Sequence, residues 1–178
     1  APYSLMTSYY DYMIGSYNGL PLRLVPESAG GGYFLTYHGM RTATSLRRVF
    51  YAHISPAGNV ECNSEITLDY IREGYPTLAV DPVSGKPMYA WHSNFQSSDA
   101  EFEVRFIADA FIDGIWGLWD DPQTIVDNPW ILQTTTDNEF IWPTATIGPS
   151  PVAGKRRVFV LCRNAVSHAI DESPSENA

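Results

Sequence analysis

The sequence predicts an all-β fold built from a repeated antiparallel unit. Three observations carry this. Apolar residues come in short runs, Gly and Pro (13 of each in 178 residues) stand between the runs, and the runs recur in one order with similar openings. Tyr, Phe and Trp supply 13% of the chain, a composition that favours strands over helices.

Read in order, a leading aromatic stretch, Ser8-Tyr9-Tyr10-Asp11-Tyr12-Met13-Ile14, has strand character within residues 1–19. Strands are then expected at 20–25, 33–38, 49–54, 77–80, 88–92, 102–107, 114–119, 144–147 and 158–162. Turn signals separate them: Pro56-Ala57-Gly58-Asn59, Asp81-Pro82-Val83-Ser84-Gly85 and Gly148-Pro149-Ser150-Pro151. Helical periodicity is nearly absent. The best helix candidate is 65–71, and 109–114 reads as a turn.

The strands repeat. Tyr75-Pro76-Thr77 and Trp142-Pro143-Thr144 open two runs that each end in a turn with Pro, and the prolines stand 67 residues apart. Gly85-Lys86 and Gly154-Lys155 follow, and then Met88–Asn94 aligns with the run from Val158 to Asn164. An earlier copy places Leu22-Arg23-Leu24-Val25-Pro26 on the run from Leu78 to Pro82, with His38 on His92 and Val49 on Val104. This alignment puts Cys162 at the histidine position of the last copy. The expected architecture is therefore a β-propeller-like repeat of antiparallel three- to four-stranded blades. About three incomplete units are expected, at 20–73, 74–139 and 140–178, within a single domain or fragment spanning 1–178. Stacking such blades buries both faces of their inner strands, which then read as apolar throughout. Closed propellers use about four to eight blades. The expectation is that self-association, or the rest of a longer chain, completes the ring, with 8–14 offered as a strand for the unfinished last unit.

At these residues the chain resembles secreted bacterial repeat propellers of the sialidase-like (BNR or Asp-box) type. The Tyr-Pro-Thr and Trp-Pro-Thr openings carry the resemblance, together with the turn Val80-Asp81-Pro82-Val83-Ser84-Gly85-Lys86-Pro87 and the outer-strand-like Trp119-Asp120-Asp121-Pro122-Gln123-Thr124-Ile125. An Asp box reads S-x-D-x-G-x-x-W. Here Asp113 and Gly114 are adjacent and Trp116 follows too soon. The resemblance implies a propeller scaffold and a secreted or cell-surface location, but no single activity.

Composition narrows function. A net charge of −9 offers no basic face to neutralise phosphates, so no nucleic-acid partner is expected. Arg47-Arg48 and Lys155-Arg156-Arg157 read as solvated strand ends. No apolar run approaches the roughly 18–20 residues of a membrane span. Two cysteines, Cys62 and Cys162, lack the spacing of a thiolate zinc site. A disulfide between them stays open, with Cys162 reading better as a buried thiol inside an apolar strand.

No catalytic motif stands out. A sialidase-like enzyme needs converging arginines, and nothing in the spacing of Arg23, Arg41, Arg72, Arg105 and Arg163 selects a set. Two-carboxylate hydrolysis has Glu61, Glu65, Asp69, Glu73 and the acids between 99 and 103 to draw on, again without a pattern. Active sites are built once whereas scaffold positions recur, so His38 and His92, like Pro76 and Pro143, read as structural repeat positions. His53 and His168 have no company that suggests a metal or a base. No cofactor is expected, apart from calcium on the acidic turns at Asp120, Asp121 and Asp127. Trp116, Trp119 and Trp130 lie near loops or outer strands and are the candidates for stacking on a glycan or contacting a protein ligand. Trp91 belongs to the core. The reading is a non-catalytic extracellular segment for binding, adhesion or surface architecture. The alternatives are a sialidase-like glycoside hydrolase fragment and a purely structural repeat.

Overall fold

The computed structural model describes residues 3–10, 20–67, 71–94, 103–110, 117–126 and 138–166. Within them the chain is all-β and forms three antiparallel sheets of four, four and two strands, each a simple meander. Sheet 1 holds β1 (Leu22–Leu24), β2 (Tyr33–Gly39), β3 (Arg48–Ile54) and β4 (Val60–Glu65). Sheet 2 holds β5 (Arg72–Val80), β6 (Pro87–Asn94), β7 (Glu103–Ala108) and β8 (Gln123–Val126). Sheet 3 pairs β9 (Asn138–Pro149) with β10 (Arg156–Val166). One 3-10 turn, Glu27–Ala29, links β1 to β2. No helix among the described residues is long and apolar enough to cross a membrane.

The sheets pack face to face in chain order, so each has a trailing face toward the sheet before it and a leading face toward the sheet after it. Successive strand residues alternate between these faces. From sheet 1, Phe34, Val49 and Tyr51 point forward onto the trailing face of sheet 2, where Leu78, Tyr89, Trp91 and Ile107 meet them in one buried cluster. From the leading face of sheet 2, Ala90 and Val104 form a second cluster with Cys162, flanked by Phe106 and Val160. Both faces of sheet 2 are thus dry, which is why Met88–Trp91 lacks the usual polar alternation.

Each sheet has a strained residue in or just before its first strand. Among the described residues, non-glycine positive φ occurs at Leu20 (54°), Tyr75 (50°) and Trp142 (51°), and each immediately precedes a proline. At Tyr75 the kink interrupts the β5–β6 register between Gly74 and Thr77.

Several expectations change. The helix expected at 65–71 does not form: Glu65 ends a strand, and Ile66, Thr67 and Ile71 are not helical. Strand β4 takes the place just before it. The strand expected at 114–119 reduces to an isolated bridge between Trp119 and Asp109, with 114–116 outside the described residues. Residues 8–10 form no strand. Tyr9 N donates to Met40 O, so this segment lies against sheet 1 and supplies nothing to sheet 3. The rest of that stretch lies outside the described residues. Finally, Cys162 does not occupy the histidine position. Thr144 pairs with Leu161 as Thr77 pairs with Ala90, and Ile141 pairs with Arg163 as Gly74 pairs with His92. A bulge at Cys162 turns its side chain back toward sheet 2 and leaves Arg163 as the counterpart of His92.

Candidate functional site: a groove between the first two sheets

Beside the outer strands of sheets 1 and 2 lies a groove of about 450 Å³. Sheet 1 and the segment after it supply Tyr51, Ser64, Glu65, Ile66 and Thr67; sheet 2 and its loop supply Ile107, Gly117, Trp119, Asp120, Asp121 and Pro122. Its construction is local. Asp109 is fully buried and its carboxylate accepts the Gly117 amide at 2.6 Å. Ala110 N donates to Leu118 O, also at 2.6 Å, so 117–120 runs antiparallel to 108–110. Gly117 has φ +88°, and a Cβ there would overlap the Tyr51 hydroxyl. Only glycine lets the loop pass this close to sheet 1.

Trp119 is half-buried and wedged edge-on against Tyr51 (centroids 4.7 Å apart) and Tyr89 (5.2 Å). Burial pushes the Tyr51 phenol up to about 12, so it stays protonated as a neutral wall. The rim is acidic. Asp120 and Asp121 are exposed, and Glu65 is held at 2.7 Å by Arg41.

Beneath Thr67 sits a closed polar network. Glu73 is fully buried; its carboxylate accepts the Thr67 hydroxyl (2.8 and 2.9 Å) and the Trp91 indole N–H (3.1 Å). The Arg48 and Arg105 guanidinium groups approach at 3.6 and 3.9 Å. Burial outweighs their attraction and holds the Glu73 carboxyl above its ordinary range. Sealed on these sides, Glu73 does not reach the groove.

Of the predicted ligand residues, Trp119 lines the groove with Asp120 and Asp121, while Trp116, Trp130 and Asp127 lie outside the described residues. No set of three or more His, Cys, Asp or Glu side chains among the described residues is arranged to hold a metal ion. The arginines weighed for a carboxylate site point to different places: Arg23 to Leu78 O, Arg41 to Glu65, Arg105 to Glu73, and Arg163 over the Trp142 ring. Cys62 and Cys162 are not joined in a disulfide.

The repeat positions join sheets together. His38 Nδ1 accepts the Tyr75 amide at 2.7 Å, and His92 Nδ1 lies 3.4 Å from the Trp142 amide. Each histidine therefore faces the strained opening residue of the following sheet, and Pro76 and Pro143 are buried behind these residues. The second contact is looser for a reason. Arg47 offers only donors and points Nη2 at His92 Nε2 (3.1 Å), which draws the ring's lone pair to that side. Burial, then Arg47, keep His92 neutral, well below the ordinary histidine range. Arg47 also donates to Glu73 O (2.6 Å) and the Tyr10 hydroxyl (3.0 Å), and stacks over Tyr75. It pins the leading segment and all of this inner junction. His53 is likewise occupied, bonding Glu61 at 2.7 Å.

No protein-family model matches the sequence, and no curated protein matches it.

Proposed function

We propose that this chain is a non-catalytic binding segment of a secreted or cell-surface protein, and that the groove between sheets 1 and 2 takes a glycan. One observation carries the reading: an aromatic side chain, Trp119, shares a groove with solvent-facing acceptors, while the buried carboxylate below is sealed away. Sugar rings offer apolar C–H faces to an indole and hydroxyl donors to carboxylates. Asp120, Asp121 and Glu65 therefore suit a neutral or amino-substituted glycan and repel an acidic one. Hydrolysis needs a positioned acid with a second carboxylate across the scissile bond, and Glu73 cannot act as that acid from beneath Thr67.

The scaffold supports a propeller reading. Meander sheets stacked in chain order, with the X-Pro kinks of sheets 2 and 3 each facing a histidine of the sheet before, have the organisation of successive blades in an unfinished ring.

A glycan array followed by titration tests the binding. Trp119→Ala should weaken a hit by at least about 2 kcal/mol, ~30-fold in Kd. Because Trp119 also packs on Tyr51 and Tyr89, the surface pair Asp120→Asn/Asp121→Asn is the control that leaves packing intact, and it should also weaken binding. Turnover on a fluorogenic glycoside panel would refute the non-catalytic reading. A basic peptide that competes for the groove would move the ligand class to protein.

A further inference from the structure

At the joint of sheets 2 and 3, two donors face one imidazole. Gly74 is the cross-strand partner of His92, and a Cβ on it would overlap the Arg47 guanidinium. Because Gly74 has none, Arg47 reaches over β5 and points Nη2 at His92 Nε2 (3.1 Å). The Trp142 amide of sheet 3 approaches the other ring nitrogen, Nδ1, at 3.4 Å. A neutral imidazole has one nitrogen lone pair to offer, and an imidazolium has none. The ring therefore satisfies one of these donors when neutral and neither when protonated.

The surroundings sharpen this. Arg72 stands two residues from Gly74 on β5, and His38 lies across the Tyr75 ring from His92, so these neighbours also oppose a second positive charge. Tyr10 and Tyr75 contribute hydroxyls bonded to each other, and Arg163 stacks over the Trp142 ring. Glu73 offers Arg47 its carbonyl, while its carboxylate points to the other face of β5, against Trp91. The first joint is better protected. There His38 Nδ1 accepts the Tyr75 amide at 2.7 Å, beside a buried apolar cluster of nine residues. Among the described residues the cluster at the second joint has three, Ala90, Val104 and Cys162. A proton on His92 thus acts where the least packing opposes it.

We propose that His92 is an acid-sensitive latch: a proton on its ring releases the Trp142 end of sheet 3 from sheet 2, while sheets 1 and 2 stay joined. Burial, then Arg47, His38 and Arg72, hold the folded-state pKa of His92 well below 6.5. The latch is therefore closed above about pH 6.5, and its contribution is lost as pH falls toward the folded value. Two other ties of sheet 3 persist through this range. Ala145 N donates to Thr77 Oγ1 (3.2 Å), and Arg156 bonds Asp81 (3.2 Å), whose pKa is held below 3.8. Release is confined to the end where Cys162 sits in the bulge opposite Trp142 and Pro143. The inference is independent of the glycan reading.

Thiol labelling of the intact chain with dithiodipyridine tests it, because Cys162 is 1% exposed in the closed joint. Its labelling rate at pH 7.5 and at pH 5.5 is divided by the rate in the urea-unfolded chain at the same pH, with the labelled peptide assigned by mass spectrometry. Protection of Cys162 should fall about tenfold between the two, since opening gains up to a factor of ten per pH unit below about 6.5. Amide exchange of β3, corrected for its intrinsic pH dependence, should keep its protection within about twofold, because sheets 1 and 2 stay joined. His92→Gln cannot take up the proton, and its Cys162 protection should not change between the two pH values. Constant Cys162 protection in the wild type, a parallel fall at β3, or a fall that persists in His92→Gln would each overturn the proposal. Should His92→Gln fail to fold by circular dichroism, the contrast between Cys162 and β3 in the wild type decides.

Discussion

Replacing Glu73 with alanine should be among the most damaging single changes in this protein. The side chain is fully buried between sheets 1 and 2 and serves Thr67, Trp91, Arg48 and Arg105 together. Breaking a buried ion pair by removing one partner costs about 3–5 kcal/mol. The two guanidinium contacts here, at 3.6 and 3.9 Å, are loose, which argues for the lower part of that range. Stranding the Trp91 N–H adds about 1–3 kcal/mol, not fully additively. We expect a loss of about 4 kcal/mol, or ~8–16 °C in Tm at this chain length. Glu73→Gln keeps an acceptor for Trp91 and should cost about 1–2 kcal/mol.

The pH dependence separates the charge from the shape. The folded-state pKa of Glu73 is raised above 4.5, so the folded protein holds this proton more tightly than the unfolded chain. That contribution is fully present below the unfolded value and is lost as pH rises through the folded one. Wild-type stability should therefore carry a downward component above about pH 4.5 that Glu73→Gln lacks. Urea unfolding followed by tryptophan fluorescence at several pH values measures both effects. A Glu73→Ala loss below about 1 kcal/mol would refute the idea that this network joins the sheets.

Two further outcomes are expected. Gly117→Ala meets a positive φ and the Tyr51 hydroxyl together, and should cost about 1–3 kcal/mol by thermal unfolding while weakening any groove ligand. Asp81→Ala should cost about 1–2 kcal/mol, because it frees the Val83 amide, the Ser84 hydroxyl and Arg156 of sheet 3. Burial opposes ionisation of Asp81, yet these three partners outweigh it and hold its pKa below 3.8. Its stabilisation is thus present above that value and lost as pH falls through the folded pKa, and the variant's acid unfolding curve should lack this component.

Strand pairing was legible in the sequence where burial made it so. Met88–Trp91 reads as a strand because both its faces meet apolar neighbours, and the Pro-Thr openings mark where successive sheets begin. Strand β4 was not legible. Val60-Glu61-Cys62-Asn63-Ser64-Glu65 is an outer strand with three exposed polar residues and no apolar run to mark it. The first three residues of β5, Arg72–Gly74, were hidden by the kink at Tyr75, since Gly-Tyr-Pro ordinarily signals a break. The one-residue slip at Cys162 has the same origin: a bulge preserves the apolar run while exchanging its faces. For the site, Trp119 and the adjacent acids could be named from local sequence. Tyr51, Ile66 and Ile107 could not, because they reach the groove through long-range packing that no local spacing encodes.

The middle sheet also acts as an insulator. Its trailing face helps to build the groove and its leading face carries sheet 3, so a change at the groove reaches sheet 3 through a layer packed on both sides. In arrays whose units touch only their neighbours, stability is set by each unit and its nearest-neighbour interfaces. Groove occupancy should therefore stabilise sheets 1 and 2 and leave the pairing of β9 with β10 nearly as it was.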